Sequence, residues 1–277
     1  MQDAFAYCAE LVRQADRDRF IATLFAPADR RATLAALYAF NIEIARVREA
    51  AREALPGEIR LQWWSDVLAG ERREEAGANP VAAALLATIE RYRLDTEKLS
   101  ALIGARRFDL YDEPMATIAG LDDYAAHTSS DLIALAAQIL GVDAEAAAQP
   151  AGIAYGITGL IQAFPVHAAR CQLYVPVELL ERHNARPHDI FAGRPSSGLN
   201  AALADLRDIA RRHLAAAHER IMLLPREALP AFLPVALVRR SLDSLERRNA
   251  FSPAELSPWR RQWLIWRAAR NPAQIAG

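Results

Sequence analysis

The sequence predicts an all-α fold, and three observations carry that prediction. Apolar side chains recur three and four apart, as in Phe40, Ile44 and Val47 or Leu61, Trp64 and Leu68, which is the spacing of one helix face. Ala, Leu, Arg and Glu dominate the composition, and all four are strong helix formers. No stretch alternates polar and apolar residues with β-branched enrichment, so nothing reads as a strand.

Local signals place the elements. Asp3 to Phe20 is a first amphipathic segment with Asp3 as N-cap. Within it, Asp16-Arg17-Asp18-Arg19 reads as a solvated helix end. Pro27 restarts the chain into a helix over Ala32–Arg52. Pro56-Gly57 is a turn before Glu58–Leu68. Gly70 to Asn79 is polar and aperiodic, hence a loop. Pro80 opens a helix to Tyr92, and Asp95 caps one over Thr96–Gly104, which Arg106–Tyr111 extends. Pro114 to Gly120 breaks the pattern, and Leu121–Leu140 is one long helix stopped by Gly141. Asp143–Gln149 is an Ala-rich linker or short helix. Gly152–Phe164 is very apolar, and Gly152, Gly156 and Gly159 allow another helix to come close; Pro165 then interrupts it. Pro176–Asn184 is a short helix, Arg186–Leu199 an exposed loop, and Leu199–Leu223 a long amphipathic helix. After a stretch punctuated by Pro225, Pro230 and Pro234, Val235–Arg248 and Pro258–Arg270 close the chain. No linker or repeat divides residues 1–277, so about ten helices are expected in a single domain.

The totals exclude several classes of function. A formal net charge of -1 gives no global field for nucleic acid. Cys8 and Cys171 are far apart, which argues against a disulfide framework and a cysteine zinc site. With no basic start followed by an apolar run, the chain is expected in the cytoplasm, at most at the inner face of the membrane. The longest apolar run, Val81 to Ile89, is too short to span a bilayer.

The stretch from Leu37 to Ala50 organises the rest. Phe40, Ile44 and Val47 face the interior, while Asn41, Glu43, Arg46, Arg48 and Glu49 are threaded through an otherwise apolar helix and need partners. Such a helix lines a polar cavity or carries a solvated face.

Several stretches resemble the squalene/phytoene synthase family, in order over nearly the whole chain. These are Pro27 through Leu37-Tyr38-Ala39-Phe40, Asn79-Pro80-Val81-Ala82-Ala83-Ala84-Leu85, Arg106-Arg107-Phe108-Asp109-Leu110, Tyr124 seven residues before Asp131, Gly156-Ile157-Thr158 and Tyr174-Val175-Pro176. The resemblance implies an isoprenoid-synthase-type helical bundle around a central cavity. It also implies two Asp-rich motifs holding Mg²⁺, which ionises a prenyl diphosphate.

The motifs themselves differ. Where Asp-Asp-x-x-Asp is expected stands Ala45-Arg46-Val47-Arg48-Glu49, and where two aspartates are expected stands Ala163-Phe164-Pro165-Val166-His167. A cation beside a Mg²⁺ site is strongly unfavourable at short range. Cys171-Gln172 replaces the Gly-Arg before Tyr-x-Pro. Ala39 to Arg48, Arg60-Leu61-Gln62-Trp63-Trp64, Tyr124 to Ser130 and Pro165 to Arg170 resemble one branch, that of the mitochondrial complex I assembly factor with a phytoene-synthase-like domain.

The resemblance therefore implies a non-catalytic member with no catalytic residue, no metal ligand and no cofactor. It would act in respiratory complex I assembly or in binding an isoprenoid or lipid, with a respiratory-complex subunit as partner. The rival reading is a prenyl transferase that keeps Mg²⁺ through altered ligands. The residues expected at a cavity or ligand site are Asn41, Glu43, Arg46, Glu49, Gln62, Tyr124, Thr128, Ser129, Gln162, His167 and Arg170. Arg46, Arg48 and Arg170 could jointly hold an anion, or Arg46 could pair with Glu43 or Glu49 across one turn. His127 and His167 read as structural histidines before an acid–base pair or metal ligands, and Asp109 and Asp131 as caps or ion-pair partners. Trp259, Trp263 and Trp266, among Arg260, Arg261, Arg267 and Arg270, form a stripe that ordinarily packs on the body of a domain; the other reading is a peripheral membrane contact.

Overall fold

A computed structural model describes residues 1–51, 53–252 and 256–277, with helices and no strand among them. The helices are α1 (Gln2–Ala15), α2 (Arg17–Thr23), α3 (Ala28–Ala45), α4 (Val47–Ala50), α5 (Ala54–Ala69), α6 (Arg73–Ala78), α7 (Pro80–Tyr92) and α8 (Thr96–Arg106). Next come α9 (Ile118–Ala125), α10 (Asp131–Ile139), α11 (Glu145–Ala169), α12 (Val177–Arg182), α13 (Pro187–Phe191) and α14 (Ser197–Ile221). The last are α15 (Leu229–Phe232), α16 (Val238–Glu246), α17 (Pro258–Arg270) and α18 (Ala273–Ala276). A 3-10 turn follows α8 at Arg107–Leu110, and a π-helical turn, Ala126–Ser130, follows α9.

The described residues fall into two compact units. The first comprises Met1–Tyr111, Asp131–Glu145 and Leu224–Leu233. Its centre is α3, where every residue from Thr33 to Ile42 is buried. A helix apolar on all sides must be covered on all sides. Helices α1, α7 and α10 cover it, and α8 and α15 pack on α10. Phe40 meets the indole of Trp64 on α5 edge-on, with ring centroids 5.1 Å apart. Both side chains are fully buried. Lys98 on α8 reaches Asp131 on α10 at 3.4 Å and Glu145 at 2.9 Å. Burial pulls this lysine's pKa down, but the Glu145 hydrogen bond and the Asp131 charge more than offset that and leave it raised.

The second unit comprises Asp112–Ser130, Ala146–Leu223 and Pro234–Gly277. Helix α14 packs on α12, α16 and α18, and α17 packs on α18. Helix α11 lies against the π-turn. A Cβ placed on Gly152 would sit 2.3 Å from the Ser130 backbone, and one on Gly156 would be 3.1 Å from Ala125 Cβ. Ser130 Oγ donates to the Gln149 carbonyl at 2.7 Å across the same contact. A Cβ on Gly159, by contrast, would have nothing within 4 Å, so this glycine does not serve the close approach the sequence suggests.

Several expected boundaries move, each for a physical reason. Pro165 does not interrupt α11, which runs on to Ala169. The lost hydrogen bond is outweighed by burial of Ile161, Phe164 and Ala168 on either side, with Phe164 against Phe251 at 5.4 Å. Pro150 also lies inside α11. It has no N–H for the Ala146 carbonyl, and Arg220 Nη1 on α14 donates there instead, at 2.7 Å. The Asp143–Gln149 linker is thereby largely absorbed into the helix. Pro56 and Gly57 sit in the first turn of α5 rather than a turn before it, where a missing N–H is harmless.

Met1, not Asp3, precedes α1, and Asp3 lies in its first turn. The Asp16–Arg19 run is no solvated end. Asp16 caps α2 through the Arg19 N–H at 3.1 Å and pairs with its guanidinium, and Asp18 and Arg19 are buried. Helix α3 begins at Ala28, four residues early, and stops at Ala45; Arg52, the expected end, lies outside the described residues. The expected loops at 70–79 and 186–199 contain α6 and α13. Helix α17 buries Ile265 and Ala268 instead of its tryptophans.

Gly152→Ala should lower stability by about 1–3 kcal/mol, because backbone rather than a side-chain tip meets the new methyl. Gly159→Ala should be neutral or stabilising by up to about 1 kcal/mol, from helix propensity alone. Urea unfolding of both variants checks the contrast.

Candidate functional site

In the first unit the expected residues gather at the C-terminal end of α3. Asn41 is buried, and its Oδ1 has no hydrogen-bond partner among the described residues. Glu43 pairs with Arg60 of α5 at 2.9 Å, rather than with Arg46, which was one of the pairings helical spacing allowed. Arg60 lies seventeen positions on in sequence, outside the one-turn window that helical spacing examines. Helix α3 then ends inside the motif itself. Arg46 is its exposed C-cap, with the N–H on the Ile42 carbonyl at 3.1 Å, and Glu49 lies exposed on the separate short helix α4. A positive side chain suits the carbonyl end of a helix.

Gln62 is exposed on α5, donating to Asp66 at 2.7 Å and accepting from Arg107 at 3.1 Å. Arg107 also pairs with Glu58, which accepts from the Tyr111 hydroxyl at 3.0 Å. This network of Glu58, Gln62, Arg107 and Tyr111 adds three residues that periodicity did not single out. The Arg106-Arg107-Phe108-Asp109 motif was a sequence signal for Arg107 alone. Asp109 pairs with Arg106 at 3.0 Å and Asp131 with Lys98, both in the ion-pair role expected of them.

In the second unit, Tyr124, His167 and Tyr174 form an aromatic cluster. The His167 and Tyr174 rings lie 4.5 Å apart, and those of Tyr124 and Tyr174 5.6 Å apart. Tyr174 was visible only as part of the Tyr-x-Pro motif. Thr128 and Ser129 are buried in the π-turn. The Thr128 hydroxyl donates to the Tyr124 carbonyl at 2.7 Å, which helps hold the widened turn. Gln162 donates to the buried Ser241 of α16 at 3.2 Å. Arg170 is exposed just past the end of α11, where its N–H bonds the Val166 and His167 carbonyls.

The sequence profile of the squalene/phytoene synthase family matches residues 12–267, and the chain belongs to that family. It is similar to the rat protein named NADH dehydrogenase (ubiquinone) complex I, assembly factor 6, at 29% identity over 94% of this chain and 84% of the rat protein. Similarity to the 15-cis-phytoene synthase of Synechocystis is lower, 24% over 90% of this chain and 78% of that one. Among solved structures, a dehydrosqualene synthase in complex with ligand superposes with a TM-score of 0.82 over 97% of this chain and 96% of that one, at 15% identity. That likeness confirms the isoprenoid-synthase fold.

The residues at the two motif positions do not fit the Mg²⁺ that the fold family implies. Arg46 and Arg48 bring positive charge to the first, where Glu49 is the sole carboxylate, and the second has none. Among the described residues no three His, Cys, Asp or Glu side chains converge to hold a metal ion. Hard divalent cations need several anionic oxygens.

The two thiols have opposite settings. Burial pushes the Cys8 thiol up to about 12, while Cys171 is exposed beside the second motif, with φ at +56°. At pH 8 only about one Cys8 in ten thousand would be thiolate, and the thiolate is the nucleophile. An aromatic disulfide reagent should therefore titrate one thiol rapidly in the native protein and the second only after denaturation. Cys171→Ser should abolish the rapid phase.

Proposed function

We propose that this protein is a non-catalytic member of its family that acts in the assembly of a respiratory NADH dehydrogenase complex. One observation carries the reading: of the five positions that should hold aspartates, four present Ala45, Arg46, Ala163 and His167 and only Glu49 keeps a carboxylate, and α3 stops where a metal-binding helix would have to continue. Aspartates one turn apart share a face only on an unbroken helix. The greater similarity to proteins named complex I assembly factor 6 than to a phytoene synthase supports the same reading. The protein would work without a metal cofactor, in the cytoplasm, with a respiratory-complex subunit as its partner. The retained isoprenoid-synthase fold favours a hydrophobic isoprenoid or lipid as an accompanying ligand.

Two measurements test this. Purified protein given farnesyl or geranylgeranyl diphosphate with Mg²⁺ should yield no C30 or C40 hydrocarbon, and Mg²⁺ with a diphosphate analogue should leave Tm unchanged. A deletion strain should lose NADH dehydrogenase activity and keep its prenyl-lipid profile. Condensation product in vitro, or loss of a prenyl lipid with intact respiratory activity, would establish the transferase instead.

A further inference from the structure

The C-terminal part of the second unit has a surface that the proposed function does not use. Helix α17 turns its tryptophans outward: Trp259 is 81% exposed, Trp263 50% and Trp266 48%. They lie on one stripe, opposite Ile265 and Ala268, which are fully buried. An exposed indole is normal; three on one short helix form an apolar patch that requires explanation.

The charge beside this stripe is one-sided. Residues 234–277 carry eight arginines against three acids, although the whole chain has a net charge of -1. One of those acids, Glu246, is turned to Arg211 of α14 at 2.5 Å, and another, Glu255, lies outside the described residues. Between α16 and α17 a cleft of about 250 Å³ is lined by Arg240, Arg247, Arg248 and Arg260, with Asp243 and Ser244. Asp243 is 3.8 Å from Arg240, and among the described lining residues it is the one carboxylate beside four arginines. A second cleft beside it, about 270 Å³, adds Arg239 and Arg267. Arg267 and Arg270 also stack on the stripe itself, 5.1 Å from the Trp263 ring and 4.9 Å from the Trp266 ring.

From this juxtaposition of an outward tryptophan stripe and flanking arginine-lined clefts, we infer that α16 and α17 form a docking face for a bilayer rich in anionic phospholipid. The indoles sit at headgroup depth, where an aromatic ring with one polar edge is favoured. The guanidinium forks in the clefts match the oxygens of lipid phosphates, and those stacked on Trp263 and Trp266 carry charge to the same level. Insertion is shallow, because no helix among the described residues is long and apolar enough to cross a membrane. Membrane attachment needs two signals together, here apolar area and basic charge. The inference is independent of the assembly role, since it concerns lipid binding by the purified chain.

Vesicle co-sedimentation tests it. The protein should bind phosphatidylglycerol/phosphatidylcholine vesicles, bind phosphatidylcholine alone far more weakly, and dissociate as salt screens the charge. Tryptophan emission should shift to the blue and be quenched by brominated lipid. Replacing Trp259, Trp263 and Trp266 by Ser should remove the quenching. Arg247→Glu and Arg260→Glu should each weaken binding at least about five-fold. Circular dichroism separates loss of binding from loss of fold, and the arginine variants stand alone if the tryptophan variant fails to fold. Binding unchanged in both sets, equal binding to neutral vesicles, or preference for an RNA oligonucleotide over anionic vesicles would overturn the inference.

Discussion

The first unit depends on one constraint: α3 is buried on every side from Thr33 to Ile42. A fully covered helix can keep few polar groups along its length, because each must find a partner inside or be stranded. Polar chemistry is therefore pushed to the end, where Glu43 reaches Arg60 and Arg46 closes the last turn. The Phe40–Trp64 contact fixes α5 against this helix, and Arg60 of α5 reaches Glu43 near the same end. A helix whose terminus is already settled by an arginine has little reason to carry a metal there.

The second unit answers with aromatic rather than anionic side chains. Tyr124, His167 and Tyr174 cluster, and buried hydroxyls of the π-turn pack close to α11. Gly152 and Gly156 bring α11 in, while the Arg220 guanidinium takes the carbonyl that Pro150 leaves without a donor. The scaffold of a family that handles diphosphates with metal is thus kept. Four of the five aspartates expected at its two motifs are replaced by uncharged or basic residues, and a shared fold with a dehydrosqualene synthase is compatible with greater sequence similarity to an assembly factor.

Charge elsewhere is distributed more unevenly than its total suggests. A near-neutral chain excludes a global field but not a local one. The arginines of α16 and α17 converge only because two segments separated by a connection pack side by side. The acid Glu246 of α16 is drawn away from them to Arg211, thirty-five positions earlier.

By itself, the sequence determined what short-range physics controls. Helical periodicity gave the all-α class and the buried faces of Phe40, Ile44 and Trp64. Capping chemistry set the start of α7, where Asn79 accepts from Val81 and Ala82, and of α8, where Asp95 accepts from Glu97. The lost motif carboxylates were legible because a side chain's charge needs no coordinates. Tertiary packing decided the rest. It carried α11 through Pro165, buried Asp18 and Arg19, sent Glu43 to Arg60, brought Tyr174 to His167 and turned the α17 tryptophans outward. Where a local preference worth about 1–3 kcal/mol was overruled, as at Pro165, it was by burial against a segment far along the chain, here Phe164 on Phe251, and no window of neighbouring residues contains that information.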